Sequence, residues 1–209
     1  MSRYIVARSL VLVFFVLTVS SVAWAGKKSK DGPGTKAVRT ANDTIAKLLA
    51  EDVTAGSAEE KALTAKVTES VRSFLDVDAL GERALSDHWS GLTSTQQTEF
   101  LSVLRGLLED NYVKGLRANL EYKVEYKGET KNADGTRLVK TEIKTKRRGR
   151  AYTIKVDYVL EQDGKAWRCF DVLTDGVGLV ENYRAQFNKI IAKDGFEGLI
   201  KKMKKKRAA

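Results

Sequence analysis

The apolar period of this chain changes once, near Leu116, and that change restricts the fold more than any single residue does. Before it, apolar residues recur every three or four positions, the spacing of a helix with one buried face. Val38, Ala41, Ile45, Leu48 and Leu49 form one such stripe, ended by Gly56. Leu63, Val67, Val71 and Phe74 form a second, and Leu80, Ala84, Leu85 and Trp89 a third. The fourth is the clearest: Thr93 and Gln96 read as a capping box, and Phe100, Leu101, Leu104, Leu107, Leu108, Tyr112 and Leu116 follow.

After Leu116 the period is two. Leu120, Tyr122, Val124 and Tyr126 alternate with charged residues, and Asn132–Gly135 turns the chain into Val139, Thr141, Ile143 and Thr145. Arg147–Arg150 leads to a third strand with Tyr152, Ile154, Val156, Tyr158 and Leu160 on one face. Asp163-Gly164 then leads to a fourth, Lys165–Thr174. Short turns between neighbours imply an antiparallel meander with one dry and one wet face. The wet face mixes Lys with Glu, which reads as charge pairing across strands rather than a basic binding patch. Helical spacing returns with Leu179, Val180, Tyr183, Phe187, Ile190 and Ile191, and after Gly195 with Phe196, Leu199, Ile200 and Met203. The expectation is a single α+β domain, a four-stranded antiparallel sheet with helices before and after it.

The first 25 residues read as an export signal rather than part of that domain. Arg3 and Arg8 precede an uncharged stretch, and Ala23-Trp24-Ala25 is an A-x-A site, so cleavage is expected before Gly26. The apolar run is too short to span a bilayer, which takes roughly 20 residues. Residues 26–35 read as a Gly/Lys linker, 36–203 as the domain and 204–209 as a basic tail. The expected location is the periplasm. A net charge of +10 would ordinarily suggest nucleic acid, but export argues against that partner.

One Cys excludes an internal disulfide and a multi-Cys metal site, and one His excludes the usual multi-His zinc sites. His88 is expected to pack or to end a helix, and Cys169, on a strand, to be buried and inert. Asp171 and Asp175 flank a strand end, where turn and cap duties are commoner than acid–base work. No catalytic residue, cofactor or metal is expected.

Three segments together resemble a known family. They are Leu75-Asp76-Val77-Asp78 with Arg83-Ala84-Leu85 and His88-Trp89, then Leu92-Thr93 with Gln96 and Phe100, and then Trp167–Val172 followed by Asp175–Val180 and Asn182–Phe187. With Gly195–Leu199 they are similar, in order and spacing over roughly residues 36 to 205, to the MlaC family of periplasmic phospholipid-binding proteins, of the toluene-tolerance auxiliary transport group. Gly178 and Ser86 depart from the pattern, standing where Ser and Gly are usual.

The resemblance implies a curved sheet wrapped by helices, related to the NTF2-like shape, with acyl tails inside and the head group near a mouth. It implies a shuttle of phospholipid cargo between an outer-membrane lipoprotein complex and an inner-membrane MCE-domain protein of an ABC transporter. On that reading Phe100, Leu104, Tyr122, Val124, Val139, Ile143, Ile154, Val156, Val177, Val180 and Tyr183 are the expected lining residues. Arg184 is the candidate for the head-group phosphate, against a surface ion pair. The run Lys201–Arg207 suggests transient contact with anionic membrane, against a solvated end.

The energetics fit a carrier without catalysis. Roughly 28 methylenes at about 0.8 kcal/mol each give on the order of 20 kcal/mol in membrane or in protein, so a carrier need only offer comparable dry surface. Two other readings compete: a hydrolase using Asp171 or His88, and a basic adaptor with no internal ligand.

Overall fold

The structure, a computed structural model, describes residues 31–54, 56–116, 122–147 and 150–207. The expected export signal lies outside the described residues.

Helix α1 spans Pro33–Leu49, α2 Ala58–Phe74, α3 Val77–Ala84, α4 Ser86–Trp89 and α5 Ser94–Leu116. The starts of α2, α3 and α5 have local causes. Ser57 accepts from the Glu60 N–H at 3.1 Å to open α2, and Asp76 accepts from the Ala79 N–H at 3.0 Å to open α3. Thr93 and Gln96 cap α5 reciprocally: the Thr93 N–H donates to Gln96 Oε1 at 3.0 Å and the Gln96 N–H to Thr93 Oγ1 at 3.3 Å.

Helix α1 begins inside the stretch read as a linker. Pro33 sits in its first turn, where a missing N–H costs nothing, and the Thr35 N–H donates to Glu129 Oε2 at 2.6 Å. A carboxylate 94 residues away therefore caps this helix.

Five strands follow, one more than expected: β1 Tyr122–Lys131, β2 Arg137–Arg147, β3 Arg150–Asp163, β4 Ala166–Thr174 and β5 Val177–Gly178. They pair antiparallel in sequence order, the meander that the short turns imply. Between β4 and β5, Asp175 (φ 49°) and Gly176 (φ 86°) make the two-residue turn, with both central residues in the left-handed region. Two residues are too few to show a period, which is why β5 escapes a reading of alternation.

Two register shifts, at Tyr126/Gly128 and at Val159/Leu160, bend the sheet, as bulges do. The first also changes the inward phase of β1. Even-numbered residues face inward up to Tyr126, and beyond Gly128 (φ 114°) the odd-numbered Glu129 sits opposite the inward Val139. Glu129 is thereby 9% exposed, beside Arg137 Nη1 at 3.4 Å.

On the outer face the expected charge pairing is present. Lys127 Nζ lies 2.8 Å from Glu142 and Lys144 Nζ 2.8 Å from Glu125. Hydrogen bonds from Lys144 and then Lys127 bring the Glu125 carboxyl down to about 2.

The chain closes with α6, Leu179–Arg207, bent at Gly195 (φ 70°) into two helical pieces. The basic tail is part of this helix as far as Arg207. Lys204 Nζ pairs with Glu99 at 2.6 Å and Arg207 Nε with Asp110 at 3.0 Å, which fastens the end to α5.

Helix α1 lies on β1, β2 and β4, while α2, α3 and α6 pack on β4. The principal neighbours of α5 are the helices α2, α3 and α6. A single apolar cluster runs from these helices to the inner sheet face.

Candidate functional site

Register defines the inner face row by row. Val124, Ile143 and Ile154 stand side by side, and Tyr126, Thr141, Val156, Thr174 and Val177 form the next row. Val139, Tyr158 and Val172 form a third.

Burial along this face is graded. On β3, Leu160, Tyr158 and Val156 are buried, Ile154 is half-buried, Tyr152 is 37% exposed, and Arg150 is exposed. In the next row, Val177 is 58% exposed. Tyr152 and Val177 are the only exposed large apolar residues among those described, and both fall on the inward phase at one end of the sheet. Strand β4 stops opposite Val156, so residues 150–155 of β3 run on past the β4–β5 hairpin. The hairpin is pinned there: the Asp175 N–H donates to the Lys155 carbonyl at 2.9 Å, and the Lys155 N–H to Asp175 Oδ1 at 3.1 Å. The inner face is thus closed toward Leu160 and open between Tyr152 and Val177.

Five expected lining residues are brought together on this face: Val124, Val139, Ile143, Ile154 and Val156. Tyr122 shares the phase through its pairing with Thr145, and its side chain lies outside the described residues. Val177 belongs to the rim rather than the interior, because it stands at the tip of the short hairpin.

The helical candidates are placed differently. Phe100 and Leu104 are fully buried beside Gly81 of α3, whose missing side chain would lie 3.3 and 2.9 Å from their carbons. Phe100 also meets Trp89 and Phe187 edge to face, at 6.4 and 5.5 Å between centroids. Phe100 thus packs against α3, α4 and α6, and Leu104 against α3. Helical spacing identifies their buried side but not which of two neighbours lies against it. Tyr183 stacks on Phe187 at 5.3 Å, and burial raises its phenol pKa. Val180 is buried at the start of α6.

Alternation alone also pointed to Tyr126, Tyr158 and Leu160, which share the face. Glu129 had no such signal, since the bulge sets its phase.

Arg184, the head-group candidate, is half-buried and held by a backbone carbonyl. Its Nε and Nη2 donate to the Arg83 carbonyl at 3.2 and 2.7 Å, which places a cation at the C-terminal end of α3. The other reactive side chains are likewise tied up. His88 Nε2 lies 3.0 Å from Asn188 Oδ1, while Asn188 Nδ2 donates to Asp87 at 2.6 Å, joining α4 to α6. Cys169 is fully buried, donates to the Asp171 carbonyl at 3.1 Å, and has its thiol pKa pushed up, chiefly by burial.

Asp171 accepts from the Val180 N–H at 3.1 Å and so caps α6. Gly178 permits this, because a Cβ there would lie 2.6 Å from the Asp171 carboxylate. Burial outweighs those hydrogen bonds and raises the Asp171 pKa. Among the described residues no three His, Cys, Asp or Glu side chains are grouped to hold a metal.

The quoted sequence motifs are joints of this scaffold. Arg168 reaches Asp76 Oδ2 at 2.9 Å and the carbonyls of Arg72 and Leu75 at 3.2 and 3.4 Å, while the Asp76 N–H donates to the Cys169 carbonyl at 2.7 Å. Arg83 pairs with Glu161 at 2.6 Å and lies 4.0 Å over the Phe170 ring. They fix α3 and α6 on β4, at the closed end of the inner face.

Comparison with known proteins agrees with this architecture. No curated protein sequence matches the chain. Among solved structures, a phospholipid-binding protein from Ralstonia solanacearum, determined in complex with a phospholipid, superposes with a TM-score of 0.70 at 24% identity. The match covers 85% of this chain and 98% of that one, and it shows a shared fold. The model of the MlaC protein family matches residues 39–205, which take in all the joints described above and the whole sheet, so the chain belongs to the MlaC family.

Proposed function

We propose that this protein is a non-enzymatic phospholipid carrier whose acyl chains lie against the inner sheet face and enter at its open end. One observation carries the reading: Tyr152 and Val177, apolar and on the inward phase, remain exposed. A face that existed only to be filled by its own helices would cover its whole length. The Ralstonia relative with its bound phospholipid supports the cargo. The structural duties of His88, Cys169 and Asp171 leave no nucleophile–base pair, which favours carriage over hydrolysis.

Val124, Ile143, Ile154 and Val156 would then contact the tails, with Tyr152 and Val177 at the entrance. The helices would flex against the sheet to admit and release cargo. In this reading residues 1–25 direct export to the periplasm, and lipid passes between an outer-membrane lipoprotein complex and an inner-membrane MCE-domain transporter. No helix among the described residues is long and apolar enough to cross a membrane.

Native mass spectrometry of the purified protein tests the proposal. About one phospholipid per chain is expected, released by organic extraction. Lipid-free protein that takes up none from vesicles overturns it.

A further inference from the structure

The end of the sheet that holds the opening is also rich in cations. Residues 143–156 contain Lys144, Lys146, Arg147, Arg148, Arg150 and Lys155, and no Asp or Glu. Lys144 is taken up by Glu125 at 2.8 Å. Lys146, Arg150 and Lys155 are exposed, and none of their side chains forms an ion pair among the described residues, although Lys155 stands opposite Glu142 and its N–H donates to Asp175. Strand phase places Arg150 on the inner face, one step outside Tyr152, and Lys146 and Lys155 on the outer face. Cations therefore stand on both sides of the apolar rim. The C-terminal basic run is different in kind, because Lys202, Lys204 and Arg207 are paired with Asp194, Glu99 and Asp110.

We propose that this end of the sheet docks the protein, opening first, on an anionic bilayer surface. The order of groups selects that partner. Along the inner face of β3 come Arg150, Tyr152 and Ile154, at steps of about 7 Å, the two-residue rise of a strand. A bilayer offers phosphate, then interface, then hydrocarbon over comparable depths, and a tyrosine settles at the middle level. The cations hold the opening at the head groups, and the exposed Tyr152 and Val177 meet the acyl boundary. This inference rests on the carrier reading for its purpose, since a carrier so seated has its apolar face continuous with the lipid it collects or delivers.

The test is sedimentation of the purified protein with vesicles of phosphatidylcholine alone or mixed equally with phosphatidylglycerol, at low and high salt. The parent is expected to prefer the anionic vesicles and to lose that preference in salt. Each cation near such a surface contributes about a fivefold change in partitioning, so K146Q/R150Q/K155Q should bind on the order of a hundredfold more weakly. Tyr152→Ser should weaken binding further, whereas K201Q/K205Q/K206Q in α6 should stay within about threefold of the parent.

Lipid content by native mass spectrometry should be unchanged in both triple variants. The proposal is overturned if the parent has no anionic preference, if the hairpin variant binds like the parent, or if the α6 variant accounts for the loss. A protein that carries no lipid yet docks through Lys146, Arg150 and Lys155 removes the carrier reading and leaves the docking surface in place.

Discussion

Val177→Asp separates the role of the rim from the stability of the fold. The side chain is 58% exposed at the tip of the β4–β5 hairpin, so its replacement should alter folding by no more than about 0.5 kcal/mol. Full burial of a valine is worth about 2 kcal/mol, and covering the part now exposed is worth roughly 1 kcal/mol when an acyl chain lies over it. Aspartate forfeits that contact and places a carboxylate where hydrocarbon should pass, a desolvation cost of about 1–3 kcal/mol more. The sum, about 2–4 kcal/mol, corresponds to lipid loss roughly 30 to 1,000 times faster.

The assay is transfer of a fluorescent phospholipid from loaded protein to acceptor vesicles, with thermal melting run in parallel. Thr153→Asp is the control: it lies on the same end of β3 with the opposite phase, exposed on the outer face. The reasoning fails if Val177→Asp holds its lipid as long as the parent while melting normally. It fails equally if Thr153→Asp loses lipid just as fast, because then the face would not matter.

Other outcomes follow from the scaffold. Arg168→Ala removes the ion pair to Asp76 and the hydrogen bonds to two carbonyls, and should cost about 3 kcal/mol, seen as a drop of roughly 10 °C in Tm. Arg168→Lys should recover less than half, and an alanine variant melting within about 2 °C of the parent would contradict the joint.

Because burial raises the Asp171 pKa above its ordinary value of 3.8, its contribution is complete below that pH and is lost as pH rises through the folded pKa. The parent should therefore lose stability relative to Asp171→Asn as pH rises above the ordinary carboxylate value, measured by melting across a pH series. A parent that gains on the variant would show that the α6 hydrogen bonds outweigh burial. Cys169 should resist iodoacetamide at pH 8 in the native protein and react once denatured. Rapid labelling of the folded chain would contradict its burial.

The periods in the sequence locate α1, α2, α5, α6 and four of the five strands because each element buries one face, whereas the single stripe Leu80–Trp89 covers two helices, α3 and α4. What spacing does not encode is the partner. The apolar stripe of α5 is plain, yet it does not say that Phe100 lies against Gly81 and Phe187, or Leu104 against Gly81. Arg184 suits a phosphate by its chemistry, but its acceptor is a carbonyl 101 residues earlier, a distance that no local pattern reports. Glu129 was hidden for a related reason: one extra residue at Gly128 reverses inward and outward, so parity read from Tyr122 assigns it to solvent. The same carboxylate sets the start of α1 at Pro33, ahead of Val38, where its apolar stripe begins.

Glu129 also decides where the polypeptide preceding α1 departs. Gly34 nestles against Val139 and Arg137, and a Cβ there would come within 3.0 and 3.1 Å of them. Val139 stands six residues along β2 from Thr145, the partner of Tyr152, a separation of about 20 Å. A bead, label or fusion attached ahead of residue 31 would thus hang from the far pole of the molecule. Such a handle would orient the protein on a sensor chip with Tyr152 and Val177 facing the flowing sample.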